Sequence, residues 1–206
     1  MKKFIFLCLS IFIFASLQAQ NFNGGIVAGM IASQYDGDSY AGFNRLGATA
    51  GGFVNYQLHK KWIGQMEMKY IQKGSYRSPD QNSSSPVEYD LRLNYVEVPF
   101  LIKYNFKYHL SFEAGMGLAY LFNSREEVNG IPADPFNNSP FRKLEWDYQI
   151  GGYYSFLDKW AINIRYMYSI LPIRSHAGGG VWGANRGEYN NLISFSLHYQ
   201  FKSFND

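Results

Sequence analysis

The sequence predicts an all-β fold, an eight-stranded antiparallel up-and-down transmembrane β-barrel with short periplasmic turns and long extracellular loops. Three observations predict this fold. Strand-like stretches alternate between apolar and polar residues, their connections alternate between long and short, and aromatic residues make up 18% of the 206 residues. An apolar exterior, a polar interior and aromatic girdles are typical of bacterial outer-membrane barrels.

The final strand, 192–201, shows the alternation most clearly. Apolar residues of one parity alternate with polar residues of the other: Ile193, Phe195, Leu197, Tyr199 and Phe201 against Ser194, Ser196, His198 and Gln200. Successive side chains of a strand point to opposite faces, so this strand has one apolar and one polar face. An edge strand of a soluble sandwich would show the same pattern. This strand alone therefore does not distinguish an outer-membrane barrel from a soluble sandwich, and the rest of the chain is needed.

Seven earlier stretches continue the pattern. We predict strands at about 22–31, 46–58, 62–73, 91–104, 108–120, 144–156 and 160–170. Short turns at 59–61, 105–107 and 157–159 alternate with long loops at 32–45, 74–90, 122–143 and 171–190. Loop lengths alternate in this way in an outer-membrane barrel, whereas a soluble sandwich gives no reason for it. Pro99 lies inside the fourth strand and predicts a β-bulge there, because proline cannot donate to the ladder.

The N-terminus predicts export. Lys2 and Lys3 precede an apolar run over 4–17, and a cleavage site follows before Gln20. This order is typical of a secretory signal peptide, and the apolar run is too short to span a bilayer. We therefore predict a signal peptide at 1–19 and a single outer-membrane β-barrel domain at 20–206.

Charge and cysteine content exclude several classes of function. The chain has 19 Lys and Arg against 16 Asp and Glu, and loss of Lys2 and Lys3 leaves it nearly neutral. Without a basic patch we predict no nucleic-acid binding. The single cysteine, Cys8, falls within the signal peptide, so we expect no disulfide in the mature chain.

The chain has four histidines, His59, His109, His176 and His198. No two of them share a metal-ligand spacing on one element, and we therefore predict no metal and no cofactor.

Four stretches carry a family resemblance. They are the Gly-Ala-Thr-Ala-Gly-Gly-Phe of 47–53 and the segments 68–74, 93–104 and 113–115. The Leu-x-Tyr-x-Glu-x-Pro part of the third segment is the most specific. On these residues the mature chain resembles the PorT-like outer-membrane β-barrel proteins of the Bacteroidetes. The resemblance implies the barrel fold and the outer membrane, and the namesake of that family supports type IX protein secretion.

The interior of such a barrel is predicted to be filled. Eight strands enclose a space just wide enough for side chains, so we expect no open pore. A lone buried charge is costly, and inward-facing charges should therefore be paired. The candidates for an interior polar network that keeps the barrel rigid are Glu67, Lys69, Glu97, Lys103, Glu113 and Arg165. A proton or ligand path through the same residues is the alternative.

We expect a non-enzymatic barrel with a structural or interaction role through its extracellular loops, because long loops on a rigid scaffold often bind partners. Candidate loop contacts are Tyr35, Tyr40, Phe136, Phe141, Trp182 and Arg186. The expected partners are outer-membrane lipid and a protein at the loops, and the barrel itself is expected to be monomeric.

Two alternative functions remain open. One is an accessory component of protein secretion, as the PorT resemblance implies. The other is an outer-membrane lipid-modifying enzyme, in which His198 with Ser196 or Ser111 would supply a base and a nucleophile. The sequence identifies no acid to orient the histidine, and we therefore predict no catalytic residues.

Overall fold

A computed structural model describes residues 22–37, 42–79, 86–133, 140–175 and 187–202. These residues form strands β1 (Phe22–Asp36), β2 (Arg45–His59), β3 (Trp62–Arg77), β4 (Tyr89–Asn105), β5 (Leu110–Val128), β6 (Ile131–Pro132), β7 (Leu144–Leu157), β8 (Trp160–Ser169) and β9 (Tyr189–Gln200). Within the described ranges no helix has the length and apolar character needed to cross a membrane. The predicted signal peptide, 1–19, lies outside these ranges.

Eight of the strands close into a barrel. Their order around the wall is β4-β3-β2-β1-β9-β8-β7-β5, and pairing between β4 and β5 completes the circle. Every pair of neighbours is antiparallel. The two-residue strand β6 pairs only with the end of β5 and is not part of the wall. The structure thus confirms the predicted eight-stranded antiparallel barrel.

At the long-loop end the strands reach further than predicted. β1 continues to Asp36, paired with Tyr189 of β9, and β5 continues to Val128, paired with Tyr89 of β4. In these extensions the inward residues Tyr35 and Tyr89 are apolar and buried, and the outward residues are polar, as at Gln34 and Asp90. This pattern is the reverse of the one nearer the membrane, and for that reason the sequence pattern predicted loops here.

A β-bulge changes which side chains of β5 face inward. Asn94 pairs with Asn123 while the next residue, Tyr95, pairs with Leu121, so Phe122 is the additional residue. An extra residue of this kind shifts the alternation of a strand by one position. Beyond Phe122 the even-numbered Glu126 therefore points towards the interior, although uninterrupted alternation would have placed it outside.

Pro99 does not produce the bulge that the sequence predicts. Pairing between β3 and β4 skips Val98 and Pro99, but the register before and after them is the same. Pro99 still pairs in register with Gly117 of β5. Proline lacks an N–H group, so the ladder loses a hydrogen bond there without changing its register.

Two aromatic belts bound the lipid-facing surface. At the short-turn end the paired rings are Trp62 with Tyr104 and Trp160 with Tyr199, at centroid distances of 4.9 and 4.8 Å. Towards the other end Tyr148 lies 5.8 Å from Tyr168. Between the belts the exposed outward side chains are apolar, as at Met116, Ile150 and Ile164. Aromatic belts of this kind mark the two membrane–water interfaces.

Candidate functional site: the barrel interior and its extracellular end

A network of buried charges fills the middle of the barrel, and Arg165 of β8 lies at its centre. Its guanidinium donates to both carboxylate oxygens of Glu67 at 2.7 and 2.9 Å, and to Glu113 at 2.6 Å through Nε. Gln149 and Tyr153 accept further hydrogen bonds from Arg165 at 3.1 and 3.3 Å. Arg165 is 2% exposed. Its charge is therefore neutralised by direct bidentate pairing rather than by water.

Lys73 of β3 forms the second centre of this network. Its ammonium lies 2.9 Å from Glu145, 3.1 Å from Glu97 and 3.3 Å from Asp147. Lys69 connects the two centres, since its ammonium lies 3.1 Å from Glu97 and 3.3 Å from Glu67. We call these residues the central network: Glu67, Lys69, Lys73, Glu97, Glu113, Glu145, Asp147 and Arg165.

An apolar layer lies above the central network, on its extracellular side. Its buried side chains come from β1, β3, β4, β5, β8, β9 and the segment after β8: Ile31, Tyr35, Ile71, Tyr89, Leu91, Leu93, Tyr95, Ala119, Leu121, Met167, Ile173 and Leu192. The sequence analysis treated the interior as polar throughout and therefore missed this layer. Three of its residues, Tyr35, Tyr89 and Ile173, also lie in stretches that were predicted as loops.

An outer cap of ion pairs and rings covers the apolar layer; it consists of Arg174, Glu126, Glu188, Tyr35 and Phe141. Arg174 donates to Glu126 at 2.8 and 3.1 Å and to Glu188 through Nε. Its guanidinium carbon lies 4.5 Å from the Phe141 ring centroid and 5.8 Å from that of Tyr35. The β5 bulge makes this cap possible, since it turns Glu126 inward.

Arg174 lies beyond the end of β8, outside the membrane-spanning segments. Burial alone would lower the pKa of its guanidinium, but hydrogen bonds to Glu126 and the charge of Glu188 outweigh burial and raise the pKa above its usual value. Arg174 therefore stays charged over the whole physiological pH range.

The wall of the barrel is tallest at β3, β4 and β5. We call the part beyond Tyr70, Val96 and Tyr120 the projecting wall. β5 continues for eight residues past Tyr120, which is about 26 Å along the strand at roughly 3.3 Å per residue. The outward face of the projecting wall is polar, and it stands above the lipid-facing belt.

Hydrogen bonds order this outward face. Gln72 donates to Asn94 at 3.3 Å, and Asn94 donates to Asn123 at 3.1 Å, so an amide ladder crosses the three strands. Arg92 and Arg125 stand opposite each other in the register and pair with Asp90 and Glu127. The side chains of Arg92 and Arg125 remain 43% and 62% exposed. The projecting wall therefore offers a rigid surface of amides and mixed charges.

The structure places all six predicted interior residues inside the barrel. Glu67, Lys69, Glu97, Glu113 and Arg165 belong to the central network, whereas Lys103 lies nearer the periplasmic end and joins no ion pair within the described ranges. Sequence reasoning missed Lys73, Glu145 and Asp147 as network members. The inward parity of Glu145 and Asp147 could have revealed them, and Lys73 was assigned to the end of its strand.

The structure describes two of the six predicted loop contacts, Tyr35 and Phe141. Tyr35 lies within β1 and is only 1% exposed, so it packs in the apolar layer instead of forming a loop surface. Phe141 packs against that layer from the loop side. Tyr40, Phe136, Trp182 and Arg186 lie outside the described residues.

Ser196 and His198, the pair considered for catalysis, lie within hydrogen-bond distance of each other. Ser196 Oγ lies 3.1 Å from His198 Nε2, and Tyr153 OH lies 3.5 Å from the imidazole. His198 is 1% exposed and faces the lumen. A lipid-modifying enzyme needs its nucleophile at the lipid-facing or rim surface, and this pair is enclosed by the wall. Among the described residues, no group of three or more His, Cys, Asp or Glu side chains could hold a metal ion.

A closed antiparallel barrel with an apolar outer face between two aromatic belts defines a transmembrane barrel of the outer membrane. The chain belongs to the outer membrane protein beta-barrel domain family, whose profile matches residues 18–174. No curated protein sequence matches the chain.

Two solved structures of bacterial outer-membrane proteins are similar to this chain. Neisserial surface protein A superposes with a TM-score of 0.51 at 13% identity, over 88% of this chain and 98% of that one. The attachment invasion locus protein Ail of Yersinia pestis gives a TM-score of 0.48 at 16% identity, over 88% of this chain and 100% of that one. The family match and the fold shared with Neisserial surface protein A make the chain an outer-membrane β-barrel protein.

Proposed function

We propose that this protein is a non-enzymatic, non-conducting barrel that acts as an interaction protein through its extracellular end. One observation carries the proposal: the interior is filled, while the projecting wall presents an ordered polar surface beyond the lipid. Four large side chains inside the barrel are at most 2% exposed: Lys73, Tyr95, Tyr153 and Arg165. An interior filled in this way leaves no path for solutes, so the outer surface is where a function would be carried.

The projecting wall suits a macromolecular partner. Its outward amides on Gln72, Asn94 and Asn123 both donate and accept hydrogen bonds. Arg125 adds an exposed guanidinium that is already oriented by Glu127. Because pairing within the sheet fixes these groups, binding would cost little conformational entropy.

Two measurements test the proposal. In planar lipid bilayers the purified protein should give no stepwise conductance, and reproducible channel openings would exclude a filled barrel. In living cells, a photo-crosslinking amino acid at Arg92 or at Arg125, both exposed on the projecting wall, should give a discrete adduct with a partner. The same amino acid at Met116, on the lipid-facing side of the same strand, is the matched control and should give none. Identical adducts at both positions, or none at either Arg92 or Arg125, would contradict an interaction role.

We also propose kinship with the PorT-like barrels and, as a second candidate, an accessory role in secretion. The Leu-x-Tyr-x-Glu-x-Pro segment within β4 supports it, and Glu97 of that segment is part of the central network. Deletion of the gene should then lower many secreted proteins together, as measured by proteomics of the culture medium. An unchanged secretome would reject the secretion role and leave the interaction role standing.

The predicted signal peptide completes the proposal, because an outer-membrane protein has to be exported. Mass spectrometry of the protein isolated from membranes should find an N-terminus near Gln20. Retention of residues 1–19 in the membrane form would contradict it.

A further inference from the structure

The periplasmic end of the barrel contains a polar pocket that the proposed function does not use. The pocket has a volume of about 360 Å³ and opens at the short-turn end. Its lining includes side-chain amides and hydroxyls of several strands, among them Asn55, Asn105, Ser111, Ser155 and Gln200. A volume of this size accommodates a small ligand.

Lys103 of β4 lies at the inner end of this pocket. It is 4% exposed, and its ammonium donates to Gln65 at 3.2 Å while lying 3.5 Å from the centroid of the Tyr153 ring. Among the described residues Lys103 forms no ion pair, whereas Glu67 and Glu113 are both paired with Arg165. A buried ammonium has three protons to donate, and without a counter-ion its burial is unfavourable.

The rim of the pocket is shaped by a turn with unusual backbone geometry. Tyr108 and His109 have φ values of 52° and 66°, and both residues line the pocket. Two consecutive positive φ values are typical of a type I′ turn, which favours Asn-Gly. A strained conformation of bulky residues is often found where a site requires their side chains.

We propose that this pocket binds the C-terminal carboxylate of a short peptide in the periplasm, with Lys103 as its counter-ion. The charge fits a monoanion, because Lys103 supplies one positive charge at the inner end of the pocket. A dianion such as phosphate would leave a second negative charge there without a partner. The amide-rich lining offers both donors and acceptors, which is what peptide groups need.

The test uses the full-length folded protein in detergent micelles and two probes that differ by one charge. They are N-acetyl-alanyl-alanine with a free carboxylate and the same dipeptide with a C-terminal amide. Titration followed by NMR shifts of the Ser111 and Asn105 amides should give saturable binding of the acid, at least tenfold tighter than that of the amide. Equal affinities for the two probes, or no saturable shift up to 50 mM, would overturn the proposal.

Two variants locate the charge that is responsible. Lys103→Met should abolish the preference for the acid, whereas Lys103→Arg should retain it. Lys159→Met is the matched control, since Lys159 lies on the same periplasmic face but does not line the pocket. A Lys103→Met variant that keeps the tenfold preference would exclude Lys103 as the counter-ion. The acid and amide comparison on the native protein decides the proposal even if a variant fails to fold, and it is independent of the extracellular crosslinking experiment.

Discussion

Arg165 and Glu67 form a bidentate ion pair across the full width of the barrel, with N–O distances of 2.7 and 2.9 Å. Their strands, β8 and β3, are four steps apart in either direction around the wall. The pair therefore connects opposite sides of the barrel, which backbone hydrogen bonds between neighbours cannot do. Because both side chains are buried, the pair fills the centre of the lumen.

Substitution Arg165→Met should destabilise the barrel strongly. It leaves the Glu67 and Glu113 carboxylates buried without their main counter-charge, which typically costs about 3–5 kcal/mol. The free energy of unfolding can be measured by urea titration in lipid vesicles, followed by tryptophan fluorescence.

Asp147→Asn is the matched control for that substitution. Asp147 is one of three carboxylates around Lys73, and an amide oxygen still accepts from Gln149. Because the interior has more carboxylates than cations, we expect a change of less than about 1 kcal/mol. Equal losses in the two variants would show that charge pairing does not set the stability of the central network.

Gly117→Ala should also destabilise, for a steric reason. A Cβ atom at Gly117 would lie 2.4 Å from the Asp147 carboxylate and 2.5 Å from the Gln149 amide. Both side chains are buried, and overpacking of this kind typically costs about 1–3 kcal/mol. Gly52→Ala is the control, since its Cβ would meet only the Gly25 carbonyl at 3.5 Å. The same unfolding measurement should show no loss for Gly52→Ala, and a comparable loss would argue against the steric explanation.

Replacing Tyr108-His109 by Asn-Gly should stabilise the β4–β5 turn. Both residues have positive φ, a conformation that costs about 1–3 kcal/mol for ordinary side chains and little for Asn and Gly. We expect a gain of about 1–2 kcal/mol in the free energy of unfolding. The same replacement of Asp158-Lys159, a short turn without positive φ, should give no gain. A gain at both turns would mean that the effect does not come from the backbone strain of Tyr108 and His109.

Arg174→Met should loosen the outer cap without unfolding the barrel. The backbone amides of Ile173 and Glu188 donate to carbonyls of the facing segment at 2.8 and 3.0 Å. Loss of the Arg174 pairs with Glu126 and Glu188 removes charged hydrogen bonds worth about 1.5–3 kcal/mol each, and we expect exchange of these two amides to accelerate roughly tenfold or more.

Hydrogen–deuterium exchange with mass spectrometry measures that effect. Arg142→Met, at an exposed arginine on the same rim, should leave the exchange rates unchanged. Acceleration throughout the barrel strands would contradict a local role of the cap.

The sequence by itself determined the barrel, the number of its strands and the end at which each connection lies. These features depend on the alternation of side chains along single strands and on loop length. Both are properties of the linear sequence and do not require knowledge of which strands pair. The inward parity of Glu67, Glu97 and Arg165 follows from the same alternation, because the lipid imposes an apolar face on every strand that crosses it.

Only the tertiary structure decided which charges pair, since β3 and β8 meet across the lumen and not along the wall. It also decided the height of the strands, because above the membrane the pattern reverses: Tyr89 faces inward and Asp90 faces outward. The inward turn of Glu126 depends on the bulge at Phe122, a property of how β5 pairs with β4. Closure of the barrel brings these residues together, and no local pattern along the chain contains that information.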